Sequence, residues 1–168
     1  RLNARLLLIQ AYEAASRKIF ETSQLPASEL QGMGTTLVAA FRHGDVLHIA
    51  NVGDSRAYLF SGGHLWQITE DHSLVNEQLR AGLISEKDLA RFGAKNIITR
   101  SVGFEREVQV DVIERPLRAG DMVLMCSDGL SGLVSDERIE EICRSGQPSE
   151  IVSICINEAK KNGGDDNV

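Results

Sequence analysis

Apolar residues open the chain at helical spacing. Leu2, Leu6, Ile9, Tyr12, Ile19 and Phe20 share one face, which predicts an amphipathic helix over residues 1–23. Pro26 and the polar residues after it end that helix. The period then shortens to two. Residues 35–41 and 46–52 are short apolar runs on either side of His43-Gly44-Asp45, a hairpin turn. Residues 56–60 and 64–68 flank Ser61-Gly62-Gly63 in the same way, so four strands read as one antiparallel meander. Residues 73–92 turn polar and helical, interrupted at Gly82, and Ser85 with Asp88 has the spacing of a capping box for a second short helix.

Further on, Val108, Val110 and Val112 alternate with Gln109, Asp111 and Ile113, as in a partly exposed strand. Pro116 and Arg118-Ala119-Gly120-Asp121 make a turn. Met122 to Cys126 is apolar throughout, which predicts a strand buried on both faces. Two helices close the chain, over 136–144 and 149–162, with Pro148 near the start of the second and Gly163-Gly164 past its end. Sheet strands with helices before and after them define an α+β layered arrangement, and 168 residues suit one domain.

Composition narrows the classes. With 42% apolar and 25% charged residues the chain is of ordinary globular type. No apolar run approaches the roughly 18 residues of a membrane span. No small-residue cleavage site follows the first apolar stretch, so the cytoplasm is the expected compartment. A net charge of −6 disfavours nucleic acid as a partner. Lys160-Lys161 is the basic last turn of a helix. Cys126, Cys143 and Cys155 are odd in number and lack a C-x-x-C spacing, so they are expected as buried thiols. His43, His48 and His64 lie in or beside hairpins and are assigned surface or core roles.

Three acidic clusters each follow an apolar segment: Asn51-Val52-Gly53-Asp54-Ser55-Arg56, Cys126-Ser127-Asp128-Gly129-Leu130 and Gly163-Gly164-Asp165-Asp166-Asn167. Taken singly, each acid is also a common turn former. Asp128 directly follows the most apolar run and is expected to be partly buried. A second carboxylate about 5 Å from it would repel it by ~3 kcal/mol at an effective dielectric of ~20. A divalent cation relieves such repulsion. Oxygen-only ligands suit Mg²⁺ or Mn²⁺, and the absence of His and Cys around these acids disfavours Zn²⁺.

Six blocks in order carry a family resemblance: Gly32-Met33-Gly34-Thr35-Thr36; Gly53-Asp54-Ser55-Arg56-Ala57-Tyr58; Thr69-Glu70-Asp71-His72-Ser73-Leu74-Val75; Ile98-Thr99-Arg100-Ser101-Val102-Gly103; Cys126-Ser127-Asp128-Gly129-Leu130; and Gly164-Asp165-Asp166-Asn167-Val168. Across its whole length the chain resembles the protein phosphatase 2C (PPM) family, in particular its bacterial branch. The resemblance implies a four-layer α-β-β-α sandwich, two antiparallel sheets flanked by helices. It also implies that the sandwich is incomplete at both ends, because the family's first metal-binding Asp-Gly block, the strands around it and the last strand fall outside these residues.

The implied activity is metal-dependent hydrolysis of phosphoserine and phosphothreonine in proteins by a metal-activated water. Two Mn²⁺ or Mg²⁺ ions are expected, with a third in bacterial relatives. Carried over by motif, Asp128 and Asp166 are the metal ligands through which catalysis runs, and Asp54 belongs to the weaker third site. Asp165 holds a position the family leaves variable, and Asn167 fixes the turn. His72 is no ligand; with Asp71 it is expected to anchor the segment that follows, of which residues 75–96 correspond to the family's flap. No cysteine serves as nucleophile. The expected partners are phosphorylated substrates of a Ser/Thr kinase, and the protein is expected to be a monomer. The 168 residues read as part of a competent enzyme and are not expected to turn over alone. Two other readings stay open: a non-catalytic member of the fold that senses or scaffolds, and a Ca²⁺ module built on Gly-Gly-Asp-Asp-Asn, which would need repeats of that motif.

Overall fold

Two hairpins that follow one another in the chain lie in different sheets. In the computed structural model, which describes residues 3–26, 29–85, 97–164 and 166–168, β1 (Leu37–His43) pairs antiparallel with β2 (Val46–Val52), whose other edge takes β5 (Asp111–Pro116). The second sheet is centred on β3 (Arg56–Ser61), flanked by β4 (His64–Gln67) and β6 (Met122–Cys126). The single meander expected from the sequence is therefore broken between β2 and β3. The pattern of each hairpin is local and was legible. The change of sheet is made by the three residues between Val52 and Arg56.

The alternation of side chains sorts the layers. On the first sheet Ala50, Val52 and Val112 face α1 (Ala4–Ser23) and pack with its Tyr12, Leu8, Ile9 and Ile19. Tyr12 is almost fully buried, and its hydroxyl donates to the carbonyl of Ala50 at 2.8 Å and that of Leu37 at 3.2 Å. Residues one step along, Leu47, Ile49 and Ile113, face the second sheet and meet Ala57, Leu59 and Ile68 between the sheets. On the far side, Phe60, Leu65, Met122, Leu124 and Cys126 receive α4 (Asp136–Ser145) and α5 (Pro148–Lys161). The order helix, sheet, sheet, helices is the α+β four-layer sandwich that the resemblance implies.

Helix starts follow their capping residues. Asn3 Oδ1 accepts from the Leu6 amide at 3.0 Å, and the Ser135 hydroxyl caps α4. At α5 the Glu150 carboxylate reaches back to the Gln147 amide at 3.1 Å, and Pro148 takes the first helical position. Ser73 caps α2 (Leu74–Arg80). The second helix expected around Ser85 and Asp88, and most of the flap-like stretch, lie outside the described residues.

Two expectations need correction. The strand expected over 108–113 is paired only from Asp111 on, because Val108 and Val110 pack against the α1 cluster before the chain meets β2. Met122–Cys126 is not buried on both faces. It pairs with β3 alone, and the faces of Val123 and Met125 stay 36% and 47% exposed while Leu124 and Cys126 turn to the helices. The three cysteines are free thiols, with Cys143 and Cys155 buried. Burial pushes the Cys126 and Cys143 thiols up to about 11, which keeps them protonated packing groups. Among the described residues no helix is long and apolar enough to cross a membrane.

Candidate metal centre

The segment between β2 and β3 holds Asp54. Gly53 begins the crossing with φ 108°, and a Cβ on it would overlap the Thr36 side chain, so the backbone here requires glycine. Thr36 and Ser55 share a hydroxyl–hydroxyl hydrogen bond of 2.9 Å across the same corner. Buried Asn51 donates to the carbonyls of Gly53 and Glu70, at 3.3 and 3.1 Å. Asp54 is thereby held with only 4% of its surface exposed. Burial pushes its carboxyl above the usual range, and the negative charges of Asp128 and Asp71 push it further.

Asp128 is the first residue of α3 (Asp128–Ser131), which follows β6 directly. Its expected burial does not hold: the side chain is exposed, because β6 is covered on one face only. Gly129 is buried against the last residues of the chain, and the Ser127 hydroxyl donates to the Asn167 carbonyl at 3.0 Å. This brings Asp166, exposed and one residue away, beside the start of α3. Asp166 Oδ1 accepts from the amide of Asn167 at 2.7 Å. Asn167 thus shapes the turn through its own backbone. Asp165 lies outside the described residues.

Two polar networks adjoin the Asp54 loop. The Arg56 guanidinium forks onto Asp71, with Nε to Oδ1 at 2.9 Å and Nη2 to Oδ2 at 2.6 Å. Its Nη1 donates to the Tyr58 hydroxyl, which donates to Asp136 at the start of α4. Asp71 is therefore locked to β3, while its carbonyl accepts from Asn76 of α2. The second network runs from Arg100 to Asp111 to His72. The His72 ring turns back to Gly53 and Asp111, and its carbonyl accepts from the Thr99 amide. His72 thus braces the loop before it as well as the segment after it, as far as that segment is described. In the sequence Arg100 is a member of its block with no role of its own, and Asp111 is the polar face of a strand. Their partner stands 28 and 39 residues away, and no local pattern marks it.

The donors were tested against a hard divalent ion. In kind they fit: Asp54 and Asp128 are carboxylates that repel one another, and the nearest cation, Arg56, has only the smallest influence on Asp54 and is committed to Asp71. In number they give part of a site. Among the described residues no three His, Cys, Asp or Glu side chains stand close enough to hold an ion. A cleft of about 610 Å³ bordered by Thr36, Arg100, Ser101 and Phe104 includes none of the three acids.

Two antiparallel sheets between helices, with acids where β2 and β6 end, define a class, and comparison names it. The family model for protein phosphatase 2C matches residues 3–168, and the chain belongs to that family. It is 47% identical over 141 residues to the serine/threonine phosphatase stp of Listeria monocytogenes, covering 83% of this chain and 56% of that protein. The structure of the serine/threonine phosphatase Stp1 from Staphylococcus aureus superposes with a TM-score of 0.90 at 32% identity, over 97% of this chain and 64% of that one. The catalytic domain of the phosphatase PstP in complex with two manganese ions gives 0.85 at 36% identity, over 95% and 66%. The chain thus spans between about half and two thirds of the length of these relatives.

Proposed function

We propose that the protein is a serine/threonine protein phosphatase that hydrolyses phosphoserine and phosphothreonine with Mn²⁺ or Mg²⁺, two ions and a weaker third. The observation that carries this reading is the buried Asp54 carboxylate set against Asp128, a repulsion without a cation of its own, in a chain of the protein phosphatase 2C family. The two manganese ions of PstP support the choice of metal. Asp128 and Asp166 would hold the principal pair together with the acid that the resemblance places outside these residues, and Asp54 the third ion. When bound, the ions supply Lewis acidity, which activates water and neutralises charge on the phosphoryl group.

The protein's own part is positioning. The contact of the Asn167 carbonyl with Ser127 and Gly129 would keep Asp166 near the start of α3 and Asp128, and the Gly53 corner holds the buried Asp54, which feels the charge of Asp128. The Arg56–Asp71 fork keeps the neighbouring acid paired, so that it does not compete for the ions. The partners would be phosphoproteins made by a Ser/Thr kinase, with residues 1–168 acting as part of one catalytic domain. Free thiols fit a reducing compartment such as the cytoplasm, and a monomer is sufficient for this site.

The test is phosphopeptide hydrolysis by the complete catalytic domain, of which these residues would be part, with Mn²⁺ and with chelator. Asp128→Ala and Asp166→Ala should each lower turnover by at least ~10²-fold, the scale of losing one preorganised electrostatic group. Full activity of Asp128→Ala in excess chelator would overturn the reading.

A further inference from the structure

His72 grips Gly53 at two points. The His72 amide donates to the Gly53 carbonyl at 3.0 Å, and the Gly53 amide donates to His72 Nδ1 at 3.1 Å in a buried contact. A backbone N–H can only donate, so Nδ1 carries no proton and the ring proton sits on Nε2. That proton points at Asp111 Oδ2, 3.0 Å away. Arg100 Nη1 donates to the other oxygen of Asp111 at 3.2 Å. Arg100 and His72 approach each other to 3.3 Å as two donors sharing one carboxylate. The His72 side chain is 5% exposed, so the contact with Gly53 is shielded from water.

From this geometry we infer that His72 is a positioning residue for the weak metal site: the line Arg100–Asp111–His72 fixes the Gly53 peptide and through it the direction of the Asp54 carboxylate. The inference deepens the reading of Asp54 as a metal ligand and rests on it. Asp54 needs such a brace. Its carboxylate is held buried beside another of like charge, and a loose loop would swing it out to water. Gly53 is confined on its other side by Thr36, so the His72 contact leaves its peptide one orientation. Asp111 is placed by register, opposite Asn51 at the start of β5, and Asn51 donates to the Gly53 carbonyl as well. The clasp is thus built on β2, which leads into the loop, and on its partner β5.

Two substitutions separate the contacts. In His72→Asn the amide oxygen can stand where Nδ1 stands, keeping an acceptor for Gly53 and losing reach to Asp111. In His72→Gln the polar end lies where Nε2 lies, keeping Asp111 and losing Gly53. Calorimetric titration of the complete catalytic domain with Mn²⁺ should show the weak site about 10- to 100-fold weaker in His72→Gln, the usual scale for an outer-shell partner. In His72→Asn, which keeps the Gly53 contact and loses its support from Asp111, the loss should be smaller, about threefold, with the tight sites unmoved in both. Equal loss in the two variants, or loss in neither, would overturn the inference.

Asp54→Ala is the control for the underlying reading. If it leaves the weak site intact, Asp54 is not its ligand. If it abolishes the site while His72→Gln does not weaken it, only the role of His72 fails. Should either His72 variant fail to fold, the parent protein decides. Long-range ¹H–¹⁵N spectra should show His72 protonated on Nε2 alone, with a coupling from the Gly53 amide to Nδ1. A proton on Nδ1 would sink the proposal.

Discussion

Gly129 lies against the carbonyl of Asn167: a Cβ built on Gly129 would overlap that oxygen, which also accepts the Ser127 hydroxyl at 3.0 Å. The backbone dihedral of Gly129 is unremarkable for a helix; what it needs is the absence of a side chain. Gly129→Ala should push residues 166–168 away from α3 and separate Asp166 from Asp128 without touching either carboxylate. We expect Mn²⁺ affinity at the principal sites to fall by about 10-fold or more, with the Tm in chelator lowered by only a few degrees. Unchanged Mn²⁺ binding in a calorimetric titration would show that the two acids do not act through this contact.

Asp54 gives a pH signature. Burial first, then Asp128, raises its carboxyl in the folded state above its unfolded value. The folded protein therefore binds the proton more tightly, and stability falls as pH rises from the unfolded pKa near 4 through the raised folded one. Asp54→Asn removes the charge and keeps the shape. In chelator at pH 7 this variant should melt higher than the parent, by ~2–4 °C for each ~1 kcal/mol of repulsion removed. At pH 3 the two should converge. With saturating Mn²⁺ the order should reverse, because the parent alone gains the weak-site ion. Identical melts in chelator at pH 7 would mean that the Asp54 charge carries no strain.

The contrast between what was legible and what was not follows from the range of the interactions. Periodicity over residues 1–23, the turn at Gly44-Asp45 and the Pro148 start are local, and each element formed within three residues of its expected bounds. Asp128 stood out as an acid close behind an apolar run, whereas Asp54 and Asp166 were marked by the family resemblance alone. Which sheet a hairpin joins, and whether β6 is covered on one face or two, depend on residues far away in sequence. The apolar run Met122–Cys126 described the side chains correctly and their neighbours wrongly. His72 was visible as a motif member, yet its bonds to Gly53 and Asp111 appear only when three strands' ends meet.

Tyr12 tests the first layer. Its hydroxyl reaches from α1 to the sheet carbonyls of both Ala50 and Leu37, and burial pushes its phenol far above the usual value. Tyr12→Phe keeps the ring in the cluster with Val52, Val102 and Val112 and removes only the hydrogen bonds. A loss of about 1–2 kcal/mol is expected, that of leaving buried acceptors with one donor fewer. Urea unfolding of the full chain measures it. Tyr12→Ala should lose about 3–5 kcal/mol, the scale of an aromatic deletion from a core. If the two variants were equally destabilised, packing by the ring would be irrelevant, contrary to the four-layer arrangement.

Arg56 and Asp71 test the second network. Their side chains are 22% and 10% exposed, so the fork is largely removed from water. Arg56→Ala strands the Asp71 carboxylate beside Asp54, whose charge is already disfavoured, and cuts the line through Tyr58 to Asp136. Breaking a buried pair from one side is destabilising by about 3–5 kcal/mol; allowing for the exposure of Arg56, about 2–4 kcal/mol is expected. Arg56→Lys keeps the charge and loses the two-pronged geometry, and should fall between the parent and Arg56→Ala. The double variant Arg56→Ala/Asp71→Ala removes the stranded charge together with its partner and should lose less than the sum of the two single variants. Urea unfolding in chelator gives all four values without contribution from bound metal. Strict additivity of the single losses would show that Arg56 and Asp71, despite contacts of 2.6 to 3.1 Å, do not stabilise the fold as a pair.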